Sequence, residues 1–303
     1  MNINETIKNI SIILGTSVSD IEKYVEIFQN KVIVIKYGGH AMGDKKLAHT
    51  FAEDVTLLQK LSIKPVVVHG GGPQIGSMLD KLKIESSFID GLRITNEETV
   101  EIVEMVLSGS INKDIVNKIH AAGGLAIGLS GKDAKLILAN KLTDKFKDPN
   151  SNIEKFLDIG FVGKPIKINP SIINIISDNL MIPIIAPVGF GANNETYNIN
   201  ADTAAGAIAS SLKAERILLL TDVKGVLDSN KKLISNISVT KAESMISDKI
   251  ITGGMIPKIK TCLETVGSGV KAAVIIDGRS PHAILREIFT TGGSGTMIDN
   301  SFE

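Results

Sequence analysis

Apolar positions along the chain fall into two rhythms. Short runs rich in Val and Ile, namely "KVIVIKY", "KPVVVHG", "GLAIGLS", "MIPIIAP", "ERILLLTD" and "KAAVIID", show no polar alternation and read as strands buried on both faces. Between them lie longer stretches of helical period, which predict helices over roughly 45–61, 73–83, 96–121, 169–179, 201–213, 239–248, 257–268 and 281–289. Such alternation predicts an α/β fold, a three-layer αβα sandwich with a mainly parallel central sheet. The polar stretch 141–157, "KLTDKFKDPNSNIEKFL", interrupts the rhythm at a Pro-Asn-Ser turn. It reads as a surface excursion, a hairpin being one form for it, and not as a domain linker. No internal repeat or low-complexity tract is evident.

Ahead of the first strand, Ile7, Ile10 and Leu14 share one helical stripe and Ile21, Tyr24, Val25 and Phe28 another, with Gly15, Thr16 and Ser17 dividing them. Ser19 with Glu22 fits a capping box for the second helix. Helices this apolar, with no core of their own, pack either on their own subunit or on a neighbour. The residues alone leave both open.

Composition narrows the partners. With 303 residues the chain buries a substantial core, and its 33 basic and 33 acidic residues balance. Aromatics make up only 4% and Trp is absent, so neither a nucleic-acid track nor a base-stacking surface is expected. Small ligands are. The single cysteine, Cys262, excludes an intrachain disulfide, fits a reducing compartment, and reads as a buried thiol among Ile259, Leu263 and Val266. The N-terminal apolar run "ISIIL" is too short for a signal-peptide core or a membrane span, so a cytoplasmic location without membrane partners is expected.

Two glycine clusters follow predicted strands, "KYGGHAMG" after the first and "HGGGPQIG" after the second. Glycines there let backbone N–H groups crowd around an oxyanion, and the helix that follows adds the positive end of its dipole. Either cluster alone is equally well a tight turn; two in succession, one carrying Lys36, favour a phosphate. No stretch reads G-x-x-x-x-G-K-[ST] or G-x-G-x-x-G, and the H-R-D and D-F-G signatures of protein kinases are missing, so the scaffold is of another kind.

Three further motifs carry polar groups. "YNINADTAAGAIASSL" sets Asn198, Asn200 and Asp202 at alternate positions before a helical run, on one side of an extended approach; Asp202 read alone is a helix N-cap. "LLLTDVKGVLD" ends a buried strand in Thr221 and Asp222, at the carboxyl edge where open α/β sheets bind ligands or where a strand simply exits. In "ITGGMIPKIKTCLE", Lys258 occupies a first helical turn against the dipole preference, as an anion's partner or as a solvated surface lysine.

Together and in this order, "KYGGHAM", "VVVHGGGPQI", "DGLRIT", "NINADTAAGAIA", "LLLTDVKGV" and "GGMIPK" resemble the amino acid kinase family from about residue 30 to the C-terminus. The pattern is nearest to those members that phosphorylate the side-chain carboxylate of N-acetyl-L-glutamate in arginine biosynthesis. The resemblance implies an αβα sandwich with a segment 1–29 for assembly or regulation, an amino-acid lobe over 30–213 and a nucleotide lobe over 214–303 on one continuous sheet. It implies ATP as phosphoryl donor, with Mg2+ carried on its phosphates and no metal site of the protein's own.

By motif, Lys36 and Lys258 resemble the two lysines that neutralise the phosphoryl group from opposite lobes, and Asp202 the carboxylate that holds both. Gly38, Gly39, Gly71 and Gly72 resemble backbone donors, the latter two beside the acyl substrate. Arg93 resembles the clamp on its α-carboxylate, a task suited to a guanidinium fork. Asn198 and Asn200 fall on the substrate side, Thr221 and Asp222 on the nucleotide side. A carboxylate acceptor is already ionised at neutral pH and needs no general base, which matches a motif set of lysines and glycines. His40 and His69, in the glycine loops, read as loop-packing or substrate-adjacent residues. Arginine-inhibited members carry an N-terminal helix that links dimers into a hexamer, a trimer of dimers, and the C-terminal "LREIFTTGGSGTMI" fits their pattern. The resemblance thus implies arginine as an inhibitor, with Glu287 and Gly293 lining its site, Lys213 meeting its carboxylate, and Tyr24 contributed by the second helix. Related members acting on other carboxylates such as aminoadipate, and a noncatalytic nucleotide-binding protein on the same fold, are the alternatives.

Overall fold

The computed structural model describes residues 2–143, 145–147, 154–156, 158–228 and 230–300; the side chains of His40 and of the segments 145–147 and 154–156 lie outside the described set. Two amphipathic helices come first, α1 (Ile3–Leu14) and α2 (Val18–Phe28), divided at Gly15, whose left-handed φ of 65° ends α1. Ser17, and not the expected Ser19, caps α2: its hydroxyl accepts from the Asp20 N–H at 3.1 Å, and Ser19 already lies inside the helix.

The chain then alternates through β1 (Val32–Tyr37), α3 (Lys45–Lys60), β2 (Lys64–His69) and α4 (Gly72–Leu82) to a small hairpin of β3 (Phe88–Ile89) and β4 (Leu92–Arg93). Next comes one uninterrupted rod: α5 (Glu97–Glu104), a π-helical turn over Met105–Ile111, and α6 (Asn112–Ala121). After β5 (Ala126–Ser130) and β6 (Ile137–Lys141), β7 (Lys145–Lys147) pairs antiparallel with β8 (Glu154–Phe156). The expected excursion is thus a two-stranded ladder, its connecting residues lying outside the described set.

Next follow β9 (Val162–Ile168), α7 (Ser171–Asp178), β10 (Ile182–Ala186), β11 (Val188–Phe190), β12 (Thr196–Ile199), α8 (Ala201–Leu212) and β13 (Arg216–Thr221). The last elements are β14 (Asn236–Ser238), α9 (Val239–Ser247), α10 (Met255–Gly267), β15 (Ala272–Asp277), α11 (Ala283–Phe289) and β16 (Gly295–Asp299).

Eight strands form one sheet in the order β14-β16-β15-β13-β1-β2-β10-β5, parallel except where β16 meets β15. Strands β11, β12, β9 and β6 close a small barrel beside it. Each face of the sheet carries its own core. Alternation along β1 sends Ile33 and Ile35 into the core shared with α1 through α6 and α11, and Val34 into the core shared with α7 through α10 and the barrel. The apolar stripes of α1 and α2 belong to the first of these: Ile7, Ile10, Ile21, Val25 and Phe28 are at most 7% exposed. So the N-terminal pair packs on its own chain, while Ile12, at 80% exposure, faces outward. Among the described residues no helix is long and apolar enough to cross a membrane.

Candidate active site

Three parallel strands at the middle of the sheet end side by side and set the site. Lys36 pairs in register with Val68 of β2 and Leu219 of β13, so it stands at the carboxyl edge of the central strand. Alternation puts it on the same face as Val34, under α8 and α10. Those two helices meet closely, since a Cβ on Gly206 of α8 would lie 2.7 Å from the Thr265 hydroxyl of α10. One turn before Gly206 is Asp202, and in the first turn of α10 is Lys258. Helix packing thereby delivers a carboxylate and an ammonium to the point where the strand delivers another ammonium.

Asp202 bridges the two lysines. Its Oδ2 accepts from Lys258 Nζ at 2.6 Å, and its Oδ1 lies 3.1 Å from Lys36 Nζ. The second contact is an ion pair without hydrogen-bond alignment, which leaves Oδ1 with no aligned donor. Burial pushes the carboxyl up, but the Coulombic pull of Lys36 and Lys258 outweighs burial and holds Asp202 below its ordinary value. Asp202 is not the helix cap. That task falls to Asn200, whose side-chain oxygen accepts from the N–H groups of Asp202 at 2.9 Å and Thr203 at 3.2 Å, freeing the Asp202 carboxylate for the lysines.

The two glycine loops touch: the Gly70 N–H donates to the Tyr37 carbonyl at 2.8 Å. The Lys36 ammonium lies over Gly38, where a Cβ would come within 2.8 Å of Nζ. Gly39, at φ +72°, folds its loop against the end of β13, and a Cβ there would fall 2.6 Å from Asp222 Oδ1. Thr221 closes that strand, its carbonyl accepting from the Gly278 N–H at 2.8 Å. Gly71 and Gly72 open α4 on the opposite side of Lys36 from Thr221 and Asp222.

Arg93, 7% exposed, ends β4 against the second glycine loop. Its Nη2 donates to the Gly72 carbonyl at 2.9 Å, its Nη1 to the Ser86 hydroxyl, and its guanidinium lies over the Phe88 ring at 4.5 Å. Among the described residues no carboxylate comes within ion-pair distance of it; its direct partners are neutral, and Asp80 acts on it only through a longer-range Coulombic pull. Asn198 donates to the Thr95 hydroxyl at 3.3 Å, and Thr95 donates in turn to the Arg93 carbonyl at 2.8 Å. Thr95 was not singled out from sequence, although its place two residues after Arg93 in "GLRIT" was the available signal.

The proposed regulatory residues lie elsewhere, at the other end of β13. Glu287, on α11 and 6% exposed, accepts from the Ser294 N–H at 2.7 Å and meets Arg216 Nη1 at 3.4 Å. Gly293 adjoins it, and a Cβ there would come within 2.7 Å of Glu287 Oε2. Tyr24 donates to the Thr291 hydroxyl at 3.3 Å, tying α2 to the loop beyond α11. Lys213 is the left-handed C-cap of α8, and among the described residues it forms no ion pair or side-chain hydrogen bond with this group, whereas Arg216, three residues on, does. Nothing in the local pattern separated those two basic residues; only the strand register does.

An anion-binding edge of lysines and glycine loops on a parallel αβα sheet defines a phosphotransferase class, and the chain belongs to the amino acid kinase family, whose model matches residues 31–277. Within that family its sequence is similar to acetylglutamate kinases. It is 58% identical over 282 residues to the one from Rhodospirillum centenum, covering 93% of this chain and 92% of the relative, and 58% identical over 282 residues to the one from Rhodospirillum rubrum, covering 93% and 91%. Among solved structures, N-acetylglutamate synthase from Neisseria gonorrhoeae, complexed with coenzyme A and N-acetyl-glutamate, matches with a TM-score of 0.81 at 19% identity. This chain is covered to 94% and spans 63% of that protein's chain, a likeness of fold alone.

Proposed function

We propose that the chain transfers the γ-phosphoryl group of ATP to the side-chain carboxylate of N-acetyl-L-glutamate, giving ADP and N-acetyl-L-glutamyl 5-phosphate in arginine biosynthesis. The observation that carries the reading is the Lys36–Asp202–Lys258 bridge, in which a carboxylate of α8 joins the ammonium groups of β1 and α10 beside the glycine loops. Transfer between two anions demands positive charge and alignment more than proton removal. Lys36 and Lys258 meet that demand from either side of the moving group. Asp202 keeps them from repelling one another apart before substrate arrives.

Gly38 and Gly39 serve the nucleotide side with Thr221 and Asp222, and Gly71 and Gly72 the acyl side. Arg93 clamps the α-carboxylate, with Asn198 and Asn200 on the substrate face. Among the described residues no three carboxylate, imidazole or thiolate groups converge as a metal cage, and ammonium groups are not metal ligands. The residues present therefore fit Mg2+ held on the nucleotide's own phosphates, where it neutralises part of their charge. A cytoplasmic location accords with ATP as donor.

The assay is hydroxylamine trapping of the acyl phosphate. N-acetyl-L-glutamate is expected to turn over faster than glutamate, aspartate or aminoadipate; relative to free glutamate, the acetylated amine also cannot attack the new acyl phosphate and cyclise, so selection for the acetyl group protects the product. Faster turnover of any of those three shifts the substrate; no turnover of any of them favours a noncatalytic nucleotide-binding role.

The proposal extends to arginine as inhibitor and to a hexamer built as a trimer of dimers. Glu287 is a buried carboxylate already paired to a guanidinium, that of Arg216, so an arginine ligand could take over the same oxygens. Gly293, Tyr24 and Lys213 complete the reading of that site. A cleft of about 600 Å³ beside it runs between Ile27 and Phe28 of α2 and Met297 of β16. Arginine acts here by favouring one ring geometry over another, which requires unequal affinity for the two.

A further inference from the structure

Beneath the second glycine loop lies a buried polar pair that the phosphoryl site leaves unexplained. His69, the last residue of β2, and Asn112, the first of α6, are both 0% exposed. His69 Nδ1 lies 2.9 Å from the Gly70 carbonyl oxygen. A carbonyl only accepts, so Nδ1 carries the ring proton and Nε2 is left as acceptor. Nε2 faces Asn112 Nδ2 at 3.2 Å; the same amide donates to the Ile184 carbonyl at 2.9 Å and lies 3.2 Å from the Leu129 carbonyl. Asn112 Oδ1 accepts from Lys113 Nζ at 3.2 Å. From Lys113 through Asn112 and His69 to Gly70 each contact thus runs from donor to acceptor in one sense, the two Asn112 amide hydrogens being shared among His69 Nε2 and the Ile184 and Leu129 carbonyls. Because the Asn112 amide also holds carbonyls of β5 and β10, it cannot swing without releasing the sheet.

That direction matters for the loop. Across a trans peptide, the C=O and the following N–H point opposite ways, and no described peptide bond is cis. Holding the Gly70 carbonyl down on the imidazole turns the Gly71 N–H outward, toward the cleft above the strand ends. Among the described residues that N–H has no acceptor. The π-helical turn clamps the same residue from the side: a Cβ on Gly71 would collide with Ile111 Cδ1 and lie 2.6 Å from Leu107 Cδ2. One extra residue in the turn rotates the following face by about 100°, which brings Asn112 inward with Ile115.

We infer that His69 and Asn112 are a buried positioning pair that aims the Gly71 N–H at the phosphoryl group in transfer. The inference rests on the phosphotransfer reading, since that reading defines what the N–H meets. Burial, the largest cause, holds the His69 imidazole down at about 4; the Gly70 bond opposes it and Lys113, the charged group it faces, adds to it. The ring is thus neutral in the working range. A protonated ring would set two donors, Nε2–H and the Asn112 amide, against each other.

Nitrogen-15 NMR of the unaltered chain tests the pair independently of the acyl substrate. A neutral ring with its proton on Nδ1 between about pH 5 and about pH 8 is expected, and a proton on Nε2, or titration at the ordinary value of about 6.5, overturns the inference. In the kinase assay, His69→Asn keeps an amide N–H where Nδ1 stands, whereas His69→Gln moves it to where Nε2 stands. The Gln variant is expected to lose ~10-fold or more in kcat, part of the ~10²–10³ that one preorganised donor is worth, with the KM for ATP within about threefold. The Asn variant is expected to recover most of that loss. Equal kcat in the two variants, whether unchanged or lowered in step with thermal stability, overturns the inference. Absence of N-acetylglutamate phosphorylation by the unaltered chain would fault the functional proposal, and the tautomer would still decide the pair.

Discussion

Asp202 and Glu287 are both carboxylates buried at ends of β13 or its neighbours, and the fold treats them in opposite ways. Their side chains are 13% and 5% exposed. Burial pushes both upward. At Asp202 two ammonium groups overcome that push and the group is held low; at Glu287 the Ser294 N–H and a single guanidinium at 3.4 Å do not, and the group is held high. A carboxylate held low is a fixed negative charge, suited to keeping two lysines in place through a catalytic cycle. One held high is short of positive partners, as a site for a cationic ligand would be before the ligand binds.

The largest effects should come from dismantling the first arrangement. Lys36→Ala or Lys258→Ala is expected to lower kcat by ~10²–10³, with a much smaller change in the KM for ATP, because each charge counts most during transfer. Asp202→Asn leaves two nearly buried ammonium groups without their shared partner, and a loss of ~3–5 kcal/mol in stability is expected alongside the loss of rate. Denaturant unfolding and steady-state kinetics on the same preparation check both. An Asp202→Asn variant as stable as the parent would show that the lysines never needed the bridge.

Next in size is Arg93→Ala. A guanidinium that clamps the α-carboxylate as proposed would bind it in ground and transition states alike, so the KM for N-acetyl-L-glutamate should rise ~10–100-fold, the worth of a charged hydrogen bond, with a lesser effect on kcat. An unchanged KM would assign Arg93 to the loop alone, through Gly72 and Ser86.

A smaller effect, but one that separates the two carboxylates directly, is the pH dependence of stability. Asp202, with its folded value depressed, contributes stability that is complete above the unfolded value of about 3.9 and is lost as pH falls through the folded value. Glu287, with its folded value raised, does the reverse: the fold binds the extra proton, and stability declines as pH rises from about 4.3 through the folded value. Glu287→Gln removes that decline. Its melting temperature should therefore gain on the parent as pH rises through that window, while half-inhibition by arginine should require ~10-fold more ligand, the loss of a charge-assisted pair. A constant difference across the window would mean that Arg216 fully compensates Glu287.

Much of this frame was legible in the chain. All six Val- and Ile-rich runs are strands of the central sheet, because burial on both faces suppresses polar alternation. The strands β14 and β16 at one end of the sheet and the barrel strands β6, β9, β11 and β12 do not stand out in the sequence. β11, β12 and β14 are only three or four residues long, and β9, though seven, carries Lys164, Pro165 and Lys167, whose polarity and exposure mimic a loop. Lys36, Asp202 and Lys258 were legible as polar residues at element ends, but their meeting depends on Gly206 letting α8 and α10 approach. Asn112 carried no signal at all: an asparagine in a helical stretch turns inward only because the π-helical turn shifts the register. The sequence does not separate Arg216 from Lys213 as the partner of Glu287, because that partner is set by α11, about seventy residues further on.

The smallest expected change concerns the N-terminal pair, and there the structure alters which experiment is informative. Deleting residues 1–28 would strip Ile7, Ile10, Ile21, Val25 and Phe28 from the core of the same chain, so loss of assembly would be confounded with loss of fold. Phe28 also lies under Arg216, at 4.9 Å, so the deletion would disturb Glu287's partner as well. Ile12 avoids both problems. It is 80% exposed on α1, away from the buried Ile7 and Ile10, and a solvent-facing substitution there is expected to change stability by no more than ~0.5 kcal/mol. An aspartate at an apolar contact between chains, by contrast, buries an unpaired charge. Ile12→Asp should therefore leave kcat and the melting temperature where they are and shift sedimentation from hexamer to dimer, with weaker inhibition by arginine in the dimer. A variant that remains hexameric and equally sensitive would remove α1 from the assembly and leave the catalytic reading untouched.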